Sequence, residues 1–242
     1  HLDWHCDPEK SIAISEPTAR AAIGEDLFSG EVLRLGHGMQ RAFILTLLQE
    51  LAGCDDPEGP RLLLGIEEPE LYQHPPQARY LAALLDSLSE STSQVIVTTH
   101  SPYFVSVRRV ENLRTVRKCG QRSASCVCWT GPDQVAARLA DALQRDPWPS
   151  TSVVASIEPI LQPSQAELFF CSCAVLVEGL EDLAFLTAQL ELDRHLGELR
   201  RLGCHFVVAG GKANIGRLIA VASEFGIPVM AVCDADNGDA GN

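Results

Sequence analysis

Apolar positions recur at helical spacing from Met39 to Leu51, where Phe43, Ile44, Leu47, Leu48 and Leu51 follow the turn-like stretch Gly36-His37-Gly38. The run RLLLGI then predicts a buried strand. Pro75 to Leu88 predicts an amphipathic helix carrying Ala78, Leu81, Leu85 and Leu88, and QVIVTT predicts a second buried strand. Strand, helix and strand make one parallel α/β unit, whose ligands gather beyond the carboxyl ends of the strands. Glu67, Glu68 and His100 all fall at such ends.

The pattern degrades between Lys118 and Phe170 into Gly, Ser, Pro and Gln around one short helix, Asp133 to Leu143. It then resumes as strand AVLV, helix Glu181 to Leu192, strand HFVVA, helix Asn214 to Phe225 and strand PVMAVC. This predicts a second, smaller parallel sheet. Ahead of all this, SIAIS is a candidate strand in a region of short mixed patterns. The expected division is residues 1–118, a connection over 119–172, and 173–242.

Composition narrows the class. The chain has 242 residues, 46% of them hydrophobic, which suits one large core or two modest ones and argues against disorder. No apolar run reaches the roughly 20 residues that span a bilayer, and no basic-then-apolar leader opens the chain. A cytoplasmic, non-membrane protein is expected. The start at His1 and the stop after a strand read as a piece of a longer polypeptide. Nine cysteines lack the two-residue gap of structural zinc pairs and are expected to be reduced thiols. A formal charge of −13 speaks against a broad basic surface for nucleic acid, and Arg108, Arg109, Arg200 and Arg201 are only scattered candidates. Divalent ions held by carboxylates would reverse the local sign of the field.

Two carboxylate sets carry the candidate chemistry. Glu67 and Glu68 leave an apolar strand together, an arrangement that is costly without a cation or polar ligand against it. One carboxylate suits a magnesium ion and the other an attacking water, while His100, at the next strand end, can reach a phosphate between them. The second set begins with Glu178 straight off AVLV and Asp182 soon after. It continues with Asp234 and Asp236, two apart and so on one side of an extended chain. Converging carboxylates repel unless a cation joins them, and an all-oxygen set suits magnesium or manganese. Paired ions at such a site can activate water and stabilise the leaving oxygen of a phosphodiester. Lys212, in AGGKANI, reads either as a phosphate-neutralising group or as a solvated loop lysine.

The order LGHGMQR, LLLGIEEPELYQHP and VIVTTHSP resembles the signature motif, Walker B motif and switch histidine of ABC-type ATPases of the RecF and SMC-like branch. The resemblance implies that Glu67 binds magnesium, Glu68 is the catalytic base and His100 senses phosphate. It also implies that Gly36, Gly38 and Gln40 meet ATP across a head-to-head dimer, at a helix start where N–H groups favour anions. The signature serine is absent from Leu35-Gly36-His37-Gly38-Met39-Gln40. No Gly-x-x-x-x-Gly-Lys-Ser/Thr loop is present, since Gly211-Lys212 lacks the spacing and the hydroxyl. Residues 1–118 are therefore expected to be the C-terminal half of such an ATPase domain, unable to hydrolyse ATP alone.

Glu-Gly followed by Asp-x-Asp resembles the Toprim domain, a Rossmann-like parallel sheet. That resemblance implies divalent metal on Glu178, Asp234 and Asp236, with Asp182 as a further ligand. An ABC-type ATPase followed by Toprim is similar to the OLD (overcoming lysogenisation defect) family, which includes the nuclease subunit of Gabija phage defence. PSQAELFFCSCAVLVEGLED and VVAGGKANI extend the likeness. The family implies DNA as substrate, Mg²⁺ or Mn²⁺ at the Toprim site, ATP with Mg²⁺ at the other, a dimer or tetramer through the ATPase part, and a helicase partner. The rival is a RecF-like DNA-binding ATPase without nuclease activity. A topoisomerase needs a nucleophilic tyrosine, and Tyr72, Tyr80 and Tyr103 all lie far from the second acidic set in sequence.

Overall fold

The computed structural model describes residues 21–25, 28–53, 63–90, 93–119, 124–144 and 146–234. The candidate strand SIAIS and Asp236 lie outside them. A hairpin of β1 (Ala22–Glu25) and β2 (Phe28–Glu31) comes first, followed by α1 (His37–Gly53). Strands β3 (Leu63–Glu67) and β4 (Gln94–Thr98) then pair in parallel from Leu63↔Gln94 to Glu67↔Thr98, with α2 (Pro75–Glu90) as the crossover. The 3-4 spacing of Ala78, Leu81, Leu85 and Leu88 puts all four on one buried face of α2. Leu81, Leu85 and Leu88 meet Leu48 of α1 and the sheet residues Leu64, Ile66, Val95 and Val97.

Burial along β3 and β4 alternates instead of running continuously as expected: Leu63 is 68% exposed and Ile96 62%. Among the described residues this sheet has two strands, and the residues that cluster with α1 and α2 all come from one of its faces. The apolar runs that imply two covered faces therefore have one face covered here.

The stretch expected to be a connection is largely built. Its elements are a hairpin of β5 (Thr115–Cys119) and β6 (Ala124–Cys128), then α3 (Pro132–Leu143), α4 (Ser150–Ile157) and the short α5 (Pro163–Ala166). Val135, Leu139, Val153, Ile157 and Leu168 from this stretch share a hydrophobic core with Leu176, Leu218 and Phe225 further on. Phe169 meets Phe225 edge to face at 5.1 Å. Glu224 accepts from Thr130 Oγ1 at 3.3 Å and pairs with Arg138, and Thr115 Oγ1 donates to the Phe225 carbonyl at 3.2 Å.

The remaining elements are β7 (Cys173–Val177), α6 (Leu180–Leu192), α7 (Leu196–Arg201), β8 (Cys204–Val208), α8 (Lys212–Glu224) and β9 (Val229–Val232). The sheet order is β8-β7-β9 with both pairings parallel, so β7 is central. The two units meet through consecutive residues: Phe104 packs on the first core and Val105 on the second. Cys128, Cys171, Cys173, Cys204 and Cys233 are free thiols as expected, whereas Cys126 is disulfide-bonded. No helix among the described residues is long and apolar enough to cross a membrane.

Because Phe225 is fully buried between the connecting stretch and the C-terminal sheet, Phe225→Ala is expected to cost about 3–5 kcal/mol. Urea unfolding followed by far-UV circular dichroism checks this. The helices of 132–157 and 212–224 should melt in one transition.

Candidate functional site

At the first site β3 ends at Glu67, and the chain turns at Glu68, whose φ of 43° is in the left-handed region disfavoured for residues with a Cβ. The turn is held from three directions. Glu68 N–H donates to the Thr98 carbonyl at 2.8 Å, Leu71 N–H donates to the Glu68 carbonyl at 3.1 Å, and Arg41 of α1 donates to the carbonyls of Glu68 and Pro69 at 3.1 and 2.7 Å. Tyr72, also left-handed at φ 63°, stacks on His37 at 5.1 Å and lies under the Arg41 guanidinium. The glycine-flanked start of α1 is thus tied to the turn after β3 within one chain.

His100 follows β4 and places Nε2 3.4 Å from Glu68 Oε1. Glu67 and Thr98 are register partners, so the ends of β3 and β4 bring Glu67, Glu68 and His100 to one edge. A residue that sequence reasoning missed organises this edge: Glu70 Oε1 accepts from Thr99 Oγ1 at 2.6 Å and from His100 N–H at 2.9 Å. The third glutamate of Glu67-Glu68-Pro69-Glu70 was the available signal. Gln40 turns its amide back to the carbonyls of Leu33 and Leu35 at 3.2 and 2.9 Å, so it braces the loop before α1. A Cβ at Gly36 or Gly38 would meet nothing within 4 Å among the described residues, so packing against them does not demand glycine there. His100 also lines an open cleft of about 400 Å³ whose far wall carries Glu167, Phe170, Cys204 and His205, with His205 Nε2 2.8 Å from Glu167.

At the second site β7 delivers Glu178. The last pairs of β7 are Val177↔Val208 and Val177↔Val232, so the chain exits of β8 and β9 flank Glu178. The β8 exit grips its backbone: Ala209 N–H donates to the Val177 carbonyl at 2.8 Å and Gly211 N–H to the Glu178 carbonyl at 3.0 Å. This turn needs glycine, because Gly210 and Gly211 have φ of 69° and 127°. Asn214 of α8 donates to the carbonyls of Ala209 and Gly210 and is itself oriented by Arg217. Lys212 Nζ donates to the Asp234 carbonyl at 3.2 Å, joining the β8 and β9 exits.

Glu178 and Asp182 are half-buried and Asp234 is exposed. Asp182 has a structural task that spacing did not reveal: its Oδ2 accepts the Gly179 N–H at 2.8 Å, capping α6. Among the described residues no three Asp, Glu, His or Cys side chains stand close enough to hold a metal ion, and Asp236 is outside that set. The donors that topology brings to this edge are all carboxylates, a set that fits a hard divalent ion. Burial, and then its neighbour Cys204, push the Cys173 thiol up from its ordinary pKa, and burial raises Cys171 also. These thiols sit at or before the opposite, amino ends of β7 and β8.

Three of the four scattered arginines are spoken for by carboxylates. Arg108 pairs with Glu158 at 2.5 Å, Arg109 bridges Asp86 and Glu90 of α2, and Arg201 lies 3.9 Å from Glu198.

A parallel unit with acidic strand exits is thus followed by a second parallel sheet whose central strand ends in a glutamate beside a glycine turn. Residues 8–105 match the AAA ATPase domain family, and residues 169–236 match the family described as Overcoming lysogenization defect protein-like, TOPRIM domain. The chain is 30% identical over 206 residues to the OLD nuclease of Thermus scotoductus, and 28% identical over 211 residues to the Old nuclease of Escherichia phage P2. These alignments cover 84% and 85% of this chain but 35% and 34% of the relatives, about a third of their length. The chain thus resembles OLD nucleases across both its ATPase and its Toprim parts.

Removing the cap should show in stability: Asp182→Ala is expected to cost about 1 kcal/mol, and Asp182→Asn, which keeps an acceptor, clearly less. Urea midpoints of the three proteins check this.

Proposed function

We propose that the full-length protein is a metal-dependent DNA endonuclease that cuts or nicks at the Toprim site under control of its ABC-type ATPase part. The observation that carries this reading is the placement of Glu178 at the end of the central strand, with the Lys212 turn and Asp234 on its two neighbours. The names of the two relatives support nuclease chemistry. In this reading Glu178, Asp234 and Asp236 hold Mg²⁺ or Mn²⁺, Asp182 contributes to the same edge, and Lys212 offers a positive charge to a phosphate. The bound ions would supply an activated water and charge stabilisation for the leaving oxygen. The chain's own contribution is orientation: paired strands fix the Glu178 backbone, and the Gly210-Gly211 turn leaves room for close approach of a phosphodiester backbone.

At the other site Glu67 serves magnesium, Glu68 the attacking water and His100 the phosphate, while Gly36, Gly38 and Gln40 face nucleotide held by a second copy. Assembly is then a homodimer or tetramer through the ATPase part, in the cytoplasm, and phage defence or DNA processing is the setting. The rival, a DNA-binding ATPase without cleavage, draws on the spacing of the three described carboxylates.

One experiment separates the two. Supercoiled plasmid incubated with the full-length protein in Mg²⁺ or Mn²⁺ should be nicked or linearised, and Asp234→Ala should abolish this. Intact plasmid with folded wild-type protein in both metals would leave the non-nucleolytic ATPase as the better account.

A further inference from the structure

We propose that Glu70 is a positioning residue for His100, setting the histidine ring against Glu68 in the nucleotide site. The inference rests on the ATP-site reading above and assigns a new role within it. The His100 side chain is 83% exposed, so packing does not hold the ring. Its place is set by its backbone, and that backbone is anchored by Glu70 Oε1, which takes the His100 N–H at 2.9 Å and the Thr99 hydroxyl at 2.6 Å. The Thr99 oxygen in turn accepts the Ser101 N–H at 2.9 Å, so all three residues of the turn after β4 hang on one carboxylate oxygen.

That carboxylate belongs to the turn after β3. Glu68 and Glu70 are two residues apart in a stretch locked by Arg41 and by the Thr98 carbonyl. Beside the Glu68 N–H bond to the Thr98 carbonyl, this side chain therefore ties the turn after β4 to the turn after β3, and His100 Nε2 stands 3.4 Å from Glu68 Oε1. Glu70 Oε2 is buried and has no partner among the described residues. An acceptor needed only to close a turn would not leave a carboxylate oxygen desolvated and unpaired, because that cost is uncompensated. Positioning of a phosphate-facing histidine gives a reason for keeping it.

The test is steady-state ATP hydrolysis by the full-length protein and four variants. Glu70→Ala is expected to lower kcat about 10- to 100-fold with little change in KM for ATP, the signature of a displaced group. Glu70→Gln keeps an acceptor at the Oε1 position and should retain most of the wild-type kcat. Thr99→Val removes one of the two donors and should fall between them. His100→Ala reports on the underlying reading: undiminished hydrolysis in that variant would sink the nucleotide role of the site, and this proposal with it. If His100→Ala is slow, full activity of Glu70→Ala overturns the positioning role alone, as does equal loss in Glu70→Ala and Glu70→Gln. Should Glu70→Ala fail to fold by circular dichroism, Thr99→Val decides, and an unchanged kcat there overturns the proposal.

Discussion

Strand β7 has parallel partners on both sides, so its peptide groups are committed to β8 and β9 and its exit is fixed by the register of the sheet. Val175, Leu176 and Val177 are at most 6% exposed, and the burial that holds them also holds Glu178 at the rim. The layers around this strand serve the same end. The connecting stretch covers the α8 side through Val153, Ile157 and Phe169, and the Gly210-Gly211 turn clasps the Glu178 backbone from β8. The backbone that carries this carboxylate is therefore set before any ligand arrives, a first part of the preorganisation that metal or phosphate chemistry requires.

The N-terminal site reaches the same condition by different means. Its sheet has two described strands and one covered face, so pairing alone supports the exits less firmly. Side chains supply the rest: Arg41 ties the Glu68 turn to α1, and Glu70 ties it to the His100 turn. The left-handed Glu68 is tolerated because these bonds over-determine it. Phe104 and Val105, four and five residues beyond His100, pack on the two different cores, so the chain passes from one to the other just after the histidine turn.

Much of this was legible in the sequence where a strand-length apolar run ended in an acid, as with AVLV before Glu178 and RLLLGI before Glu67. The helices with a clear 3-4 stripe were legible too. What escaped had weak local signals. Strand β6 at Ala124–Cys128 is written mostly in small residues and cysteine, and α4 has only Val153 and Ile157 on its buried side. The capping task of Asp182 could not be told from ligation in the sequence, because a helix cap and a metal ligand use the same residue type in the same place. Arg108 and Arg109 read only as scattered candidates because their partners, Glu158, Asp86 and Glu90, are distant in sequence. Glu70 is one carboxylate among three, and only the hydrogen bonds across to β4 distinguish it.

The central claim is that the chain carries two separate carboxylate sites and that divalent metal at the second depends on Glu178 and Asp234. Mn²⁺ binding to the full-length protein without nucleotide, followed by electron paramagnetic resonance titration, tests it most directly. The account predicts that Glu178→Gln and Asp234→Asn each lose this binding, while Glu67→Gln keeps it. Unchanged Mn²⁺ affinity in both C-terminal variants would contradict it.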